Sequence, residues 1–376
     1  MTAHDIRFGR GAVMAAVDEI AALGDRLALV HGRNAERAAP LSAALAAQGV
    51  ALTPIACERE PDLPMLDAAL AAASEGGAQA VVALGGGSAI DLGKAVAALV
   101  PAPGSPLDHL EVVGRGLPLT ARPLPFVAIP TTAGTGAEVT RNAVIGIPEH
   151  RRKVSLRDPR MLPHLAIVDP GLTDCAPRPV TLASGLDAVT QVIEPYLSAR
   201  ANPMTDALCL YAIPRGLAAL KSLMTREDAA ARDTMAFVSL CGGLALGNAG
   251  LGAVHGLAGV IGGVAGASHG AVCGALLPHV LSANRAHVAT AGGDISRFNE
   301  VEHLINSVLD DGFGGTAVNR LSRWSHANGL PGLSAMGVDA AQHAAIAEAA
   351  QASSSMKANP VKLPQSALES ILASAA

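Results

Sequence analysis

The stretch Ala80-Val81-Val82-Ala83-Leu84-Gly85-Gly86-Gly87-Ser88-Ala89-Ile90-Asp91-Leu92-Gly93-Lys94 decides how this chain folds. Its first five residues are a short apolar run of strand character, three glycines and a serine follow, and an alanine-rich segment of helical spacing closes it. Strand, glycine turn and helix in that order are half of a crossover unit, and such units build parallel sheets. The glycines are expected to accept positive φ and to let a guest approach the backbone, with Ser88 capping the helix. Exposed N–H groups at a helix start, reinforced by the helix dipole, favour an anion, and a pyrophosphate suits the turn. The GxGxxG fingerprint does not occur here or after the first strand.

The same alternation extends to both sides. Residues 27–30 read as a strand, 35–48 as a helix, 89–100 as a helix, and 126–129 and 166–168 as further strands. This predicts an α/β N-terminal domain with a mostly parallel sheet. Beyond about residue 180 the β-branched runs give way to long alanine- and leucine-rich segments, which predicts an all-α C-terminal domain. Prolines crowd residues 169–179, where neither helix nor strand can run through. The expected domains are therefore residues 1–178 and 179–376.

A second glycine-bearing turn follows the strand that ends at Ile129: Pro130-Thr131-Thr132-Ala133-Gly134-Thr135-Gly136-Ala137-Glu138-Val139-Thr140. Hydroxyls and glycine amides alternate in it. Both turns follow strands of one sheet, and open α/β sheets bind ligands at the carboxyl ends of their strands.

Composition narrows the function classes. A chain of 376 residues exceeds one compact core, which agrees with two domains. The net charge of −5 and 2% aromatic content give neither a basic stripe nor stacking platforms for nucleic acid. The five cysteines, Cys57, Cys175, Cys209, Cys241 and Cys273, are scattered and include no CxxC pair, as expected in a reducing compartment. The first residues carry Asp5 and no long apolar run, so a cytoplasmic address is expected. Residues 234–284 contain no Asp, Glu, Lys or Arg, but glycines, Asn248, His255 and His269 interrupt them. That pattern predicts a tightly packed helical core and no membrane span.

The motifs GGGSxxDxxK and PTTAGTGxExT resemble those of the iron-dependent (group III) alcohol dehydrogenase family, within the dehydroquinate synthase-like superfamily. The likeness continues through Asp169-Pro170, Gly185-Leu186-Asp187-Ala188, His255-Gly256 and Ser268-His269-Gly270. It implies that the α/β N-terminal domain is dinucleotide-binding, with NAD or NADP bound in a cleft between it and a helical domain. It implies further that Gly86, Gly87 and Ser88 hold the pyrophosphate, that Asp91 lies near the nicotinamide, that Thr131, Thr132, Thr135 and Thr140 line the cofactor, and that Lys153 bonds its ribose. Many NAD-using relatives carry an acidic residue after the first strand, where this chain reads His31-Gly32-Arg33-Asn34. Nothing there repels a 2′-phosphate and Arg33 can pair with one, which tips the balance toward NADP.

The resemblance also implies a divalent metal, Fe²⁺ or Zn²⁺, at Asp187, Gln191, His255 and His269, with Asp187, His255 and His269 catalytic. Two departures bear on this. Gln191 replaces a histidine that relatives carry, and a neutral amide is a weak ligand for either ion. Gly259, four residues after His255, stands where relatives commonly have another histidine. Pro195, inside the same helix, removes the bond that would otherwise reach the carbonyl of residue 191. Cys273, four residues past His269, is expected in the core.

The expected activity is hydride transfer between a nicotinamide and a small alcohol or carbonyl substrate, metal-assisted. Three alternatives stand beside it: a metal-free reductase similar to maleylacetate reductase, a nucleotide-binding homologue without catalysis, and a lyase like the dehydroquinate synthases. A homodimer is common among such relatives.

Overall fold

The protein is described from a computed structural model, which covers residues 2–150, 152–310, 312 and 314–376. The chain divides into two compact units, residues 1–132 with 136–174, and residues 133–135 with 175–376. The division thus falls at Asp174, within the proline-rich segment, and three residues of the second turn belong to the later unit.

The first unit is built on a six-stranded sheet, all of whose neighbouring strands run parallel. Its strands are β1 (Asp5–Phe8), β2 (Arg26–Gly32), β3 (Ala51–Cys57), β4 (Ala80–Gly85), β5 (Phe126–Pro130) and β8 (Leu165–Val168), in the order β1-β8-β5-β4-β2-β3. Alternation along each strand feeds two cores: Leu27, Leu29, Val82 and Leu84 pack with Leu41 and Leu45 on one face, while Ala28, Val30, Val81 and Ala83 pack with Leu66, Leu92 and Val96 on the other. Every residue of β4 is buried, as expected for a strand covered on both faces. An antiparallel hairpin of β6 (Asn142–Ile147) and β7 (Arg152–Arg157), not anticipated from sequence, completes the unit. The expected helix over residues 35–48 is a 3₁₀ turn (Ala35–Ala38) followed by a helix (Ala39–Ala47), with Pro40 in the first turn of the latter, where no N–H is needed.

The second unit is helical. Its long members are Arg178–Leu197, Pro203–Leu223, Ala229–Ala249, Ala253–Ala265 and His269–Thr290. Among the described residues no single helix is long and apolar enough to cross a membrane; Ala229–Ala249 and Ala253–Ala265 pass that test only as a pair, and they meet at a bend of 102°. Glycine sets how closely these helices pack. A Cβ at Gly270 would stand 2.3 Å from the Ala183 carbonyl oxygen, and one at Gly274 would stand 2.6 Å from Leu186 Cδ1. The His269–Thr290 helix therefore lies directly on the Arg178–Leu197 helix, and this contact brings His269 and Cys273 to Asp187.

Candidate metal centre and phosphate-binding turn

In the first unit, the helix that follows β4 runs Gly87–Leu99 with Gly86 as its N-cap and no side-chain cap. Ser88 lies in the first turn and does not cap the helix, which starts two residues earlier than expected. Nor do Gly85, Gly86 and Gly87 adopt positive φ; Gly86 has φ −70° and ψ −177°. Their smallness matters for a different reason. A Cβ at Gly85 would lie 2.5 Å from Ala89 Cβ and 3.2 Å from the Gly32 nitrogen, so the ends of β2 and β4 can close on one another only without it. What results is a bare helix start of thirteen residues, whose first amides have no intrahelical acceptor.

The walls of this turn are tied together by buried charge. Lys94 Nζ donates to the carbonyl oxygens of Ala137 (2.9 Å) and Asn142 (2.9 Å) and to Thr140 Oγ1 (3.1 Å). Burial lowers its pKa to about 8 against the pull of Asp91 and Glu138, and burial raises Glu138 to about 7. The Thr140 hydroxyl donates to the Ala137 carbonyl at 3.1 Å, so it is spent inside the loop. Asp91 accepts the Val144 N–H at 3.1 Å, which fastens β6 to the helix. Lys153 pairs with Glu60. Thr131 is buried and its N–H donates to the Gly85 carbonyl at 2.9 Å, while Thr132 is half-buried beside Gly86. Arg33 is exposed just past the end of β2, with Nε and Nη2 donating to the Glu58 carbonyl at 3.2 and 3.1 Å.

In the second unit, Asp187, His255 and His269 come together, and Cys273 joins them. One donor atom from each of the four lies within 4.8 Å of all the others. Asp187 Oδ1 is 3.3 Å from His255 Nε2 and 3.9 Å from His269 Nε2, and Cys273 Sγ is 3.7 Å from His269 Nε2. Tetrahedral sites with metal–nitrogen bonds near 2.05 Å and metal–sulfur bonds near 2.3 Å require donor separations of about 3.3–3.6 Å. Two atoms of the group, Asp187 Oδ1 and His255 Nε2, are buried without a hydrogen-bond partner. Orphaned buried polar atoms are costly, and a cation between them would satisfy both. The donor set therefore fits a divalent ion.

Protonation in the absence of an ion points the same way. Burial works against the Asp187 carboxylate, yet His269 and His255 hold its pKa below the usual range. His269 is pushed up to about 9, first by Cys273 and also by Asp187 against the cost of burial. His255 is raised despite burial, by Cys273, Asp187 and Glu194. Protons here compensate the concentration of anionic donors, a task that a bound cation takes over.

Gln191, expected among the ligands, sits one turn after Asp187 and gives its Nε2 to the Gly134 carbonyl at 2.7 Å. That bond ties residues 133–135, Thr135 included, to the helical unit. Cys273, expected in the core, is fully buried but faces the donors. Glu194 was not anticipated at all. Its Oε2 lies 2.6 Å from His255 Nδ1, and its Oε1 accepts the Val254 N–H at 2.7 Å. Both residues had a spacing signal: Glu194 is seven residues from Asp187 on the same helical face, and Cys273 is four residues from His269. Pro195 lies inside the helix, which continues to Leu197. At Gly259 an added Cβ would meet nothing within 4 Å.

Comparison with known proteins identifies the family. Residues 3–170 match the iron-containing alcohol dehydrogenase family, and residues 181–376 match the C-terminal region of the Fe-containing alcohol dehydrogenase family. The chain is 34% identical over 325 residues to the probable alcohol dehydrogenase EutG of Escherichia coli, covering 86% of this chain and 79% of that protein. It is 35% identical over 302 residues to the lactaldehyde reductase of the same species, covering 77% and 76%. The crystal structure of a 1,3-propanediol oxidoreductase superposes with a TM-score of 0.87 at 28% identity, covering 100% of this chain and 98% of that one. The chain belongs to the iron-containing alcohol dehydrogenase family and is an oxidoreductase of alcohols and their carbonyl counterparts.

Proposed function

We propose that this family member moves hydride between a nicotinamide dinucleotide, NADP in preference to NAD, and a small alcohol or its aldehyde or ketone, assisted by a divalent metal. The observation that carries this reading is the pair of buried, partnerless atoms Asp187 Oδ1 and His255 Nε2 facing each other beside His269 and Cys273. A divalent ion held there would supply Lewis acidity toward an alcohol or carbonyl oxygen, and the nicotinamide would supply the redox chemistry.

The chain's own residues prepare both sites. Glu194 accepts a hydrogen bond from His255 Nδ1–H, which would leave the Nε2 lone pair for a metal ion held beside Asp187. The amides of Gly86, Gly87 and Ser88 offer a pyrophosphate the bare helix start. Thr131 and Thr132 stand beside that turn, while Asp91, Lys94 and Thr140 hold its walls in place. Exposed Arg33 is the residue assigned to a 2′-phosphate, in a segment with no carboxylate from His31 to Asn34. The lactaldehyde reductase among the relatives favours a small substrate.

The reading includes a homodimer, for which β1 offers an edge strand with Phe8 and Met14 exposed nearby. It also includes a reducing, cytoplasmic setting, supported by five cysteines that are all free.

The test is steady-state oxidation of NADPH and NADH with short aldehydes and hydroxyaldehydes, run on chelated and metal-restored protein. Activity lost on chelation and recovered with metal is the expected result. Full activity in protein shown to be metal-free would reject metal assistance, and failure to bind either coenzyme would reject the whole assignment.

A further inference from the structure

We infer that Cys273 is itself a ligand of the metal, so that the ion is held by Asp187, His255, His269 and a thiolate. This rests on the reading above that the cluster holds a divalent ion, and goes beyond it in naming a ligand and the metal class that ligand selects.

Three observations carry it. The first is position: Sγ lies 3.7 Å from His269 Nε2 and within 4.8 Å of the Asp187 and His255 donors, the spacing of neighbouring ligands rather than of a side chain merely packed nearby. The second is cause: Cys273 sits one turn after His269, and the glycine contacts of Gly270 with Ala183 and of Gly274 with Leu186 press that face of the helix onto Asp187. The third is need: Asp187 Oδ1 and His255 Nε2 are buried and unpartnered, and Gln191, the other polar residue beside Asp187, has committed its amide nitrogen to Gly134. In this chain the sulfur supplies a fourth donor beside Asp187, His255 and His269.

On binding, the thiol S–H bond breaks, a sulfur–metal bond forms, and the proton passes to solvent with no change in oxidation state. One thiolate and two imidazoles form a soft, borderline set that suits Zn²⁺ better than a carboxylate- and water-rich set would. This protein is therefore expected to retain zinc in preference to Fe²⁺.

The experiment uses the full chain, stripped with chelator and reloaded with one equivalent of Co²⁺. The wild-type protein should show an intense near-ultraviolet thiolate-to-cobalt charge-transfer band together with visible ligand-field bands. Cys273→Ser should lose the first and keep the second, and should bind Zn²⁺ more weakly by at least the roughly 10–100-fold that removing even an outer-shell partner causes. Exposed Cys175→Ser should leave the spectrum unchanged. Cobalt bound without the charge-transfer band, or a band that survives Cys273→Ser, overturns the thiolate and leaves the metal site standing. Failure of the wild-type protein to hold Co²⁺, Zn²⁺ or Fe²⁺ overturns both. The wild-type spectrum decides even if the serine variant does not fold.

Discussion

His255 Nδ1 lies 2.6 Å from Glu194 Oε2, and both side chains are almost wholly buried. The same carboxylate takes the Val254 N–H, so one side chain both caps the start of the Ala253–Ala265 helix and sets the tautomer of its third residue.

Glu194→Gln is the cleanest test of that arrangement. The amide oxygen can keep the Val254 bond, which leaves an NH₂ group facing Nδ1. Nδ1 must then accept, the proton moves to Nε2, and that nitrogen can no longer ligate. Metal affinity should fall roughly 10–100-fold with little change in circular dichroism. Competition titration against a zinc chelator measures it, and unchanged affinity would remove Glu194 from the site.

Gly270→Ala places a methyl group 2.3 Å from a backbone carbonyl, so one of the two helices must move. Overpacking of this kind costs about 1–3 kcal/mol. Thermal unfolding should show the lower stability, and metal analysis should show lost occupancy, since His269 and Cys273 ride on the displaced helix.

Lys94 and Glu138 give opposite pH slopes. Glu138 is raised from 4.5 to about 7, so between those values the folded chain binds a proton that the unfolded chain does not, and stability falls as pH rises. Lys94 is lowered from 10.5 to about 8, so between those values the unfolded chain binds the extra proton, and stability rises with pH. Denaturation midpoints of wild type and Glu138→Gln across pH 4.5–7 should differ in slope, the variant being flatter.

Arg33→Ala should discriminate between coenzymes. Hydrogen bonds to a charged group contribute about 1.5–3 kcal/mol, or roughly 10–100-fold. The KM for NADPH should rise by that factor and the KM for NADH should stay within about twofold. Equal effects on both would remove Arg33 from 2′-phosphate recognition.

Much of this was legible residue by residue. The run 80–94 announced its strand, turn and helix because each element is local: periodicity and glycine placement suffice to specify it. The parallel sheet followed from alternation, and the motifs carried the family. His255 and His269 could be picked out as polar groups in a segment stripped of charge, and Asp187 through the Gly185–Ala188 motif. The β6–β7 hairpin escaped because each of its strands is buried on one face only, unlike the fully buried runs of β4, β5 and β8.

By itself, then, the order of residues determined most of the elements, the two-part organisation and the family, for which local pattern and motif suffice. Only the tertiary structure decided that the glycines of the 85–87 turn serve close approach and not positive φ, that Gln191 turns its amide to Gly134, and that Cys273 and Glu194 face the imidazoles. Those outcomes depend on how near one helix can come to another. That distance is set by glycines such as Gly270 and Gly274 and by what lies across from them, which no local pattern records.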